Sequence, residues 1–209
     1  MTARTRCTAK WWRAGSSGRL LPATGGIFPS VDFLQGKLIV SSPSLIDPNF
    51  RKTVVLIAHH DEEGALGLVL SRPSDVAAVD AVPVLDGLPG AEDPVFVGGP
   101  VPPEAFMVLA EFEDVDEAAA PIIDGLGFMP ADAEPSDLAI KRLRLFAGYS
   151  GWGSGQLEDE LADDSWIVVE AAPEDPFADD PDELWRTVLQ RKGGAFSLME
   201  NMPYDPGLN

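Results

Sequence analysis

The sequence predicts an α+β fold: a single domain with a curved, mostly antiparallel β-sheet and a few flanking helices. Three observations carry this expectation. Short apolar runs rich in β-branched residues recur from Leu38 onward, each bounded by Gly, Pro or Asp. Successive runs are joined by polar turns, such as His59–Gly64, which suits hairpins better than helical crossovers. A clear helical period appears only late, where Leu184, Trp185, Val188 and Leu189 share one face.

Taken in order, Leu38-Ile39-Val40 is a strand ended by Ser41-Ser42-Pro43, and Asp47-Pro48-Asn49 is a turn. Thr53–Ala58 is almost wholly apolar, as expected of a central strand covered on both faces, and 53–71 reads as a hairpin closed by Pro73. Residues 74–82 suit a short helix limited by Pro83. Pro94–Val97 and Ala105–Phe112 are strands, and 113–135 is an acidic loop with a short strand at Pro121–Ile123. A helix is expected over Ser136–Ile140 behind a Ser cap. Leu143–Ala147 is a strand running into a glycine-rich segment; a helix near Gly155–Ala162 and a strand at Trp166–Val169 follow. The last helix runs from Pro181 to Lys192, with Asp180 as cap, Arg191-Lys192 in the last turn and Gly193-Gly194 as stop.

Charge organises the chain further. Thirty-four acids against fifteen bases give a net −19. Residues 1–30 hold five bases and no acid, so the remainder has ten bases against thirty-four acids, a net −24. Such a body repels a phosphate backbone, and direct nucleic-acid binding by it is disfavoured. Residues 1–35 read as a basic, disordered extension (or residues upstream of the natural start), with a transit peptide or a nucleic-acid arm as alternatives; 36–193 form the domain, and 194–209 a C-terminal tail. No apolar run reaches the roughly 18 residues of a membrane span. The one cysteine, Cys7, excludes an internal disulfide and fits a reducing cytoplasm.

Gly148–Glu158 (Gly-Tyr-Ser-Gly-Trp-Gly-Ser-Gly-Gln-Leu-Glu) is the most unusual stretch. Glycine costs roughly 0.5–1 kcal/mol against alanine inside regular structure, so this density implies either a sharp turn or a close approach. It lacks the spacing of a dinucleotide loop or a Gly-Lys-Ser/Thr ending, and Glu158, Asp159 and Glu160 would repel a phosphate. Gly148–Trp152 resembles a nucleophile elbow without its last glycine, so a serine triad requires the fold to bring His60 to Ser150. His59 and His60 are strand neighbours facing opposite ways, unsuited to one metal ion. No cofactor or metal is expected.

Together these segments resemble the AlgH/YqgE family: Gly36–Ser44, Asp47–Phe50, Thr53–Leu56, His60–Leu70, Arg72-Pro73, Val97–Val101 and Gly148–Glu158, in order, covering about residues 36–193. The resemblance implies a bifurcated sheet curled into a pseudo-barrel and a cytosolic setting. On function it implies only a transcriptional-regulator label, derived from a link to alginate production, with no established reaction. Three departures stand out. Many members have Cys-Glu-His where this chain has Ala58-His59-His60, the usual Asn-Arg-Pro is Ser71-Arg72-Pro73, and a frequent histidine is replaced by Ala110. A thiol-based role therefore does not carry over.

The functional expectation is a non-catalytic regulatory protein that binds a small molecule or a protein. Its site residues would be His60, Arg72, Gly98, Gly99, Tyr149, Gly151, Trp152, Gln156 and Glu158. In this reading Arg72 holds an anionic group between the walls of Tyr149 and Trp152, unless it pairs internally with Glu158 or Asp47. The alternative is a hydrolase using His60 with Asp61 or Ser150.

Overall fold

The computed structural model describes residues 33–45, 47–194 and 196. Almost all of the expected N-terminal extension, and all of the tail except Gly194 and Phe196, lie outside them. The described chain is built on ten strands: β1 Lys37–Ser41, β2 Val54–Asp61, β3 Gly64–Val69, β4 Pro73–Ala77, β5 Pro94–Val97, β6 Val101–Phe112, β7 Ala120–Ile123, β8 Leu126–Phe128, β9 Ile140–Gly153 and β10 Trp166–Glu170. Three α-helices accompany them: α1 Ala78–Ala81, α2 Gln156–Ala162 and α3 Leu184–Lys192. The strands join in the order β10-β1-β2-β3-β9-β6-β8-β7. All pairings are antiparallel except that of β5 with β9. This is the expected α+β domain.

The sheet forks on β9. One edge of this long strand pairs with β6. Its other edge takes β5 beside Phe146–Ala147 and then β3 beside Ser150–Gly153. Gly98 sits at the fork: its carbonyl accepts from Val69 N–H at 2.9 Å, and its N–H donates to the Ala147 carbonyl at 3.0 Å. The sheet also curls. Gln35, just before β1, donates to the Pro121 carbonyl of β7 at the far end of the strand order, at 3.2 Å.

The curl creates an inside and an outside. Inward residues of nearly every strand, among them Leu38, Leu56, Leu68, Phe96, Leu109 and Phe146, form the main core. Helix α3 packs into it with Leu184, Trp185, Val188 and Leu189, each such side chain contributing roughly 1.5–3 kcal/mol when fully buried. Two smaller cores lie outside. One joins Ile39, Val55 and Ile57 to Trp152, Trp166 and Leu157 of α2, and Leu45 and Phe50 pack against it. The other packs Ala78, Leu85 and Ala91 on Val95, Ala110 and Leu145. β1 and β2 are thus apolar on both faces, which is why their sequences do not alternate.

Buried polar groups tie the helices down. Asp175, almost fully buried, takes two hydrogen bonds from Arg191 (2.9 and 2.6 Å) at the end of α3. Arg144, also buried, donates to the carbonyls of Pro176 and Ala178 and lies 4.2 Å from the Phe96 ring centre. Burial pulls its guanidinium down to about 10, with Asp93 and Asp179 opposing.

Several elements differ from the sequence expectation. His59–Asp61, read as part of a polar turn, completes β2, so only Glu62 and Glu63 separate it from β3. Pro73–Ala77 is a strand paired with β5, leaving a helix only over Ala78–Ala81. Ser136–Ile140 holds a single 3-10 turn at Pro135–Asp137, because Glu117 takes the Ala139 N–H and Ile140 pairs with Phe112. Helix α3 begins at Leu184, although Asp180 does accept from the Glu183 N–H at 3.2 Å. The glycine-rich segment is the continuation of β9 rather than a loop.

Candidate functional site

Close approach is the reason for the glycines. A Cβ on Gly98 would stand 2.2 Å from the Gly148 carbonyl oxygen, and one on Gly99 2.3 Å from the backbone of Tyr149. Gly148 has φ +76°, and a Cβ there would meet the Val101 carbonyl at 2.5 Å. The end of β5 and the start of β6 meet β9 here at main-chain contact distance, which only glycine permits. Ser150 is fully buried at the same crossing, and its hydroxyl donates to the Gly98 carbonyl at 3.3 Å.

His60 lies elsewhere on the sheet. A bulge between Ile57 and His59 shifts the register of β2, after which His60 faces Ala65, and Ala65 faces Trp152. Ser150 sits in the row of Gly67, two residues along β9 from Trp152. The buried imidazole is engaged on both sides. Its Nδ1 accepts from the Leu34 N–H at 3.0 Å, so the proton sits on Nε2, which donates to Glu158 Oε1 at 2.8 Å. Phe33 packs edge-on against the ring, with centroids 5.5 Å apart.

The adjacent histidine is separate. His59 Nε2 meets Asp61 Oδ2 at 3.0 Å in a half-exposed pair, which holds the Asp61 carboxyl below its usual range. The two histidines serve different carboxylates, and among the described residues no cluster of three or more His, Cys, Asp or Glu suits a metal ion.

Glu158 is one of two acids by which α2 grips the sheet. The other, Glu160, was not singled out from the sequence. Its Oε2 accepts from two indoles, Trp152 Nε1 at 3.0 Å and Trp166 Nε1 at 2.7 Å, while Oε1 accepts from Gln156 Nε2 at 3.0 Å. Gln156 Oε1 in turn accepts from the Gly153 N–H. The two indoles meet edge to face, with centroids 6.1 Å apart, and Phe50 completes the cluster at 6.2 and 5.3 Å. The legible signal was two tryptophans flanking a short acidic helix, since buried indole N–H groups need acceptors.

The nine expected residues therefore fall into three neighbourhoods. His60, Trp152, Gln156 and Glu158 form the brace between α2 and the sheet. Gly98, Gly99, Tyr149 and Gly151 belong to the fork, where the Tyr149 ring lies 3.3 Å from where a Cβ of Gly151 would stand. Tyr149 packs on the inner core and Trp152 on an outer one, because three residues along a strand reverse the face. Arg72 stands apart. Its Nη2 donates to the Pro48 carbonyl at 2.9 Å and lies 3.4 Å from Thr53 Oγ1. It forms no ion pair with Glu158 or Asp47: Glu158 is occupied by His60, and Asp47 accepts from the Asn49 N–H.

The family model described as AlgH-like (DUF179) matches residues 38–197, which takes in the fork, the brace and Arg72. This chain belongs to that family. It is 42% identical to a UPF0301 protein of Streptomyces coelicolor over 187 residues, 86% of this chain and 97% of that one. It is 35% identical to a UPF0301 protein of Chlorobaculum tepidum, over 83% and 95%. Among solved structures it is similar to the crystal structure of a Corynebacterium diphtheriae protein, with TM-score 0.73, 26% identity, and 81% and 92% of the two chains covered. It is also similar to the solution structure of the AlgH protein from Pseudomonas aeruginosa, with TM-score 0.61, 27% identity and coverage of 86% and 98%. Of the residues named for a hydrolase, His60 bonds Glu158, Asp61 bonds His59, and Ser150 bonds a backbone carbonyl.

Proposed function

We propose that this chain is a non-catalytic binding protein of the cytoplasm, which recognises an anionic small molecule or a protein partner and does not itself contact DNA. The observation that carries the reading is the engagement of His60. An imidazole whose Nδ1 accepts a backbone N–H and whose Nε2 donates to a carboxylate has no lone pair with which to take a proton from a hydroxyl. The buried Ser150 hydroxyl is likewise spent on the fork.

Arg72 is the residue assigned to the ligand. Among the described residues its guanidinium has only neutral partners. The Thr53 hydroxyl near it also donates to the Arg51 carbonyl. A planar, always-charged guanidinium suits a carboxylate or phosphate in bidentate fashion. No helix among the described residues is long and apolar enough to cross a membrane, and the net charge of −24 after residue 30 opposes a phosphate backbone.

Native mass spectrometry of the purified protein tests the proposal. A retained anionic molecule, lost in Arg72→Gln without change in thermal stability, is the expected result. Turnover in a broad hydrolase screen that disappears in His60→Gln would contradict it. So would purified protein that carries no small molecule and gains none from phosphate, sulfate or dicarboxylate titrations while also binding no peptide.

A further inference from the structure

The end of the sheet offers a second binding surface that uses none of the residues around Arg72. Among the described residues β10 is an edge strand whose ladder partner is β1. Register fixes which way its backbone points. The Ser42 N–H donates to the Ser165 carbonyl at 3.0 Å. Antiparallel alternation then makes Val40–Ile167 and Leu38–Val169 the bonded pairs, and turns the N–H and C=O groups of Trp166, Val168 and Glu170 away from β1.

Two of these outward carbonyls are capped by side chains at the end of α3. Lys192 Nζ donates to the Val168 carbonyl at 2.9 Å, and Arg191 Nη2 to the Glu170 carbonyl at 3.2 Å. Beside this edge runs a groove of about 720 Å³, whose lining includes Ser42, Asp164, Trp166, Val168, Lys192 and Phe196.

We infer that the outer edge of β10 accepts an extended, acidic peptide segment of a partner protein as an added strand. The inference goes beyond the Arg72 reading, because it names a second surface and its own partner class. Hydrogen-bond complementarity comes from the outward main-chain groups, as in other strand-addition sites. Charge complementarity comes from Lys192, which has to outweigh the exposed Glu170 of the same strand and the acidic body. Arg191 is already held by Asp175, whereas Lys192 has no carboxylate partner among the described residues. A peptide N–H that takes over the Val168 carbonyl releases the ammonium for a peptide carboxylate. Asp164, which also lines the groove, disfavours a second carboxylate beside it.

The opposing account makes Lys192 and Arg191 mere guards of an exposed edge. Selection of random linear dodecapeptides displayed on phage, against the full-length chain, separates the two. The expected result is enrichment of acidic sequences. Bound as synthetic peptides, these should slow amide hydrogen exchange of Trp166 and Val168 at least tenfold, lose tenfold or more in affinity against Lys192→Glu, and bind Arg72→Gln unchanged. Methylating the peptide nitrogen that faces the Val168 carbonyl should abolish binding. No enrichment, protection confined to another part of the sheet, or undiminished binding to Lys192→Glu would each overturn the inference. Those outcomes leave the Arg72 proposal to its own test.

Discussion

Replacing Glu160 by alanine gives the most quantitative test of the brace. The carboxylate serves three donors, two of them indoles that are each less than a tenth exposed. A hydrogen bond to a charged group contributes about 1.5–3 kcal/mol, and a buried donor left without a partner costs about 1–3 kcal/mol. One oxygen serves both indoles, so the losses are not additive, and about 3–5 kcal/mol is expected. For a domain of this size roughly 2–4 °C of Tm accompanies each kcal/mol, which gives a fall of about 6–20 °C. Relief of charge repulsion acts in the opposite sense, because the chain carries −19. The exposed neighbour Asp159 supplies the control: Asp159→Ala should stay within about 0.5 kcal/mol of the parent. Urea unfolding followed by far-ultraviolet circular dichroism measures both, and near-ultraviolet dichroism should report the loosened tryptophans. A Glu160→Ala protein within about 0.5 kcal/mol of the parent would refute the reasoning.

The remaining predictions concern the fork, the histidine and pH. Gly148→Ala should prevent folding or cost more than about 3 kcal/mol, since it combines positive φ with a main-chain clash. Gly153→Ala in the same strand meets nothing within 4 Å and should be neutral or stabilise by up to about 1 kcal/mol; chemical denaturation compares the two. His60→Ala leaves the Leu34 N–H without its acceptor and opens a cavity, and should cost about 2–4 kcal/mol by the same measurement. Asp61, held below its usual 3.8 chiefly by the hydrogen bond from His59, stabilises the fold above that value and loses the contribution as pH falls through its lowered value. The urea midpoint of the parent should therefore drop more between pH 5 and pH 3 than that of Asp61→Asn, by a small margin because the pair is half exposed.

How far the sequence led depended on how local the relevant physics was. Runs such as Thr53–Ala58 and Trp166–Val169 were legible because apolar β-branched stretches bounded by turn residues have few other uses, although β2 continues through His59–Asp61, which read as turn. Ser136–Ile140 misled because its cap and composition favour a helix, whereas pairing of Ile140 with Phe112 claims the backbone from a distance. The glycine segment was recognised as a place of sharp turn or close approach. Which of these held depended on β5 and β6 crossing β9, and nothing within the segment encodes that. Convergence of the unusual residues was only partly readable. The spacing of Tyr149 and Trp152 already implied opposite faces once the segment is a strand, but the pairing of His60 with Glu158 spans 98 positions and needed the bulge in β2. Glu160 was one acid among thirty-four until two indoles were seen to point at it.

The protonation state of the His60 ring bears most directly on the claim that the unusual residues brace the fold rather than form an acid–base site. With only two histidines in the chain, a long-range proton–nitrogen NMR spectrum of uniformly nitrogen-15-labelled protein at neutral pH resolves each ring. The account predicts a neutral His60 with its proton on Nε2 and an unprotonated, hydrogen-bond-accepting Nδ1. A ring protonated on Nδ1 with a free lone pair on Nε2 would contradict it, and would return His60 to the role of a general base.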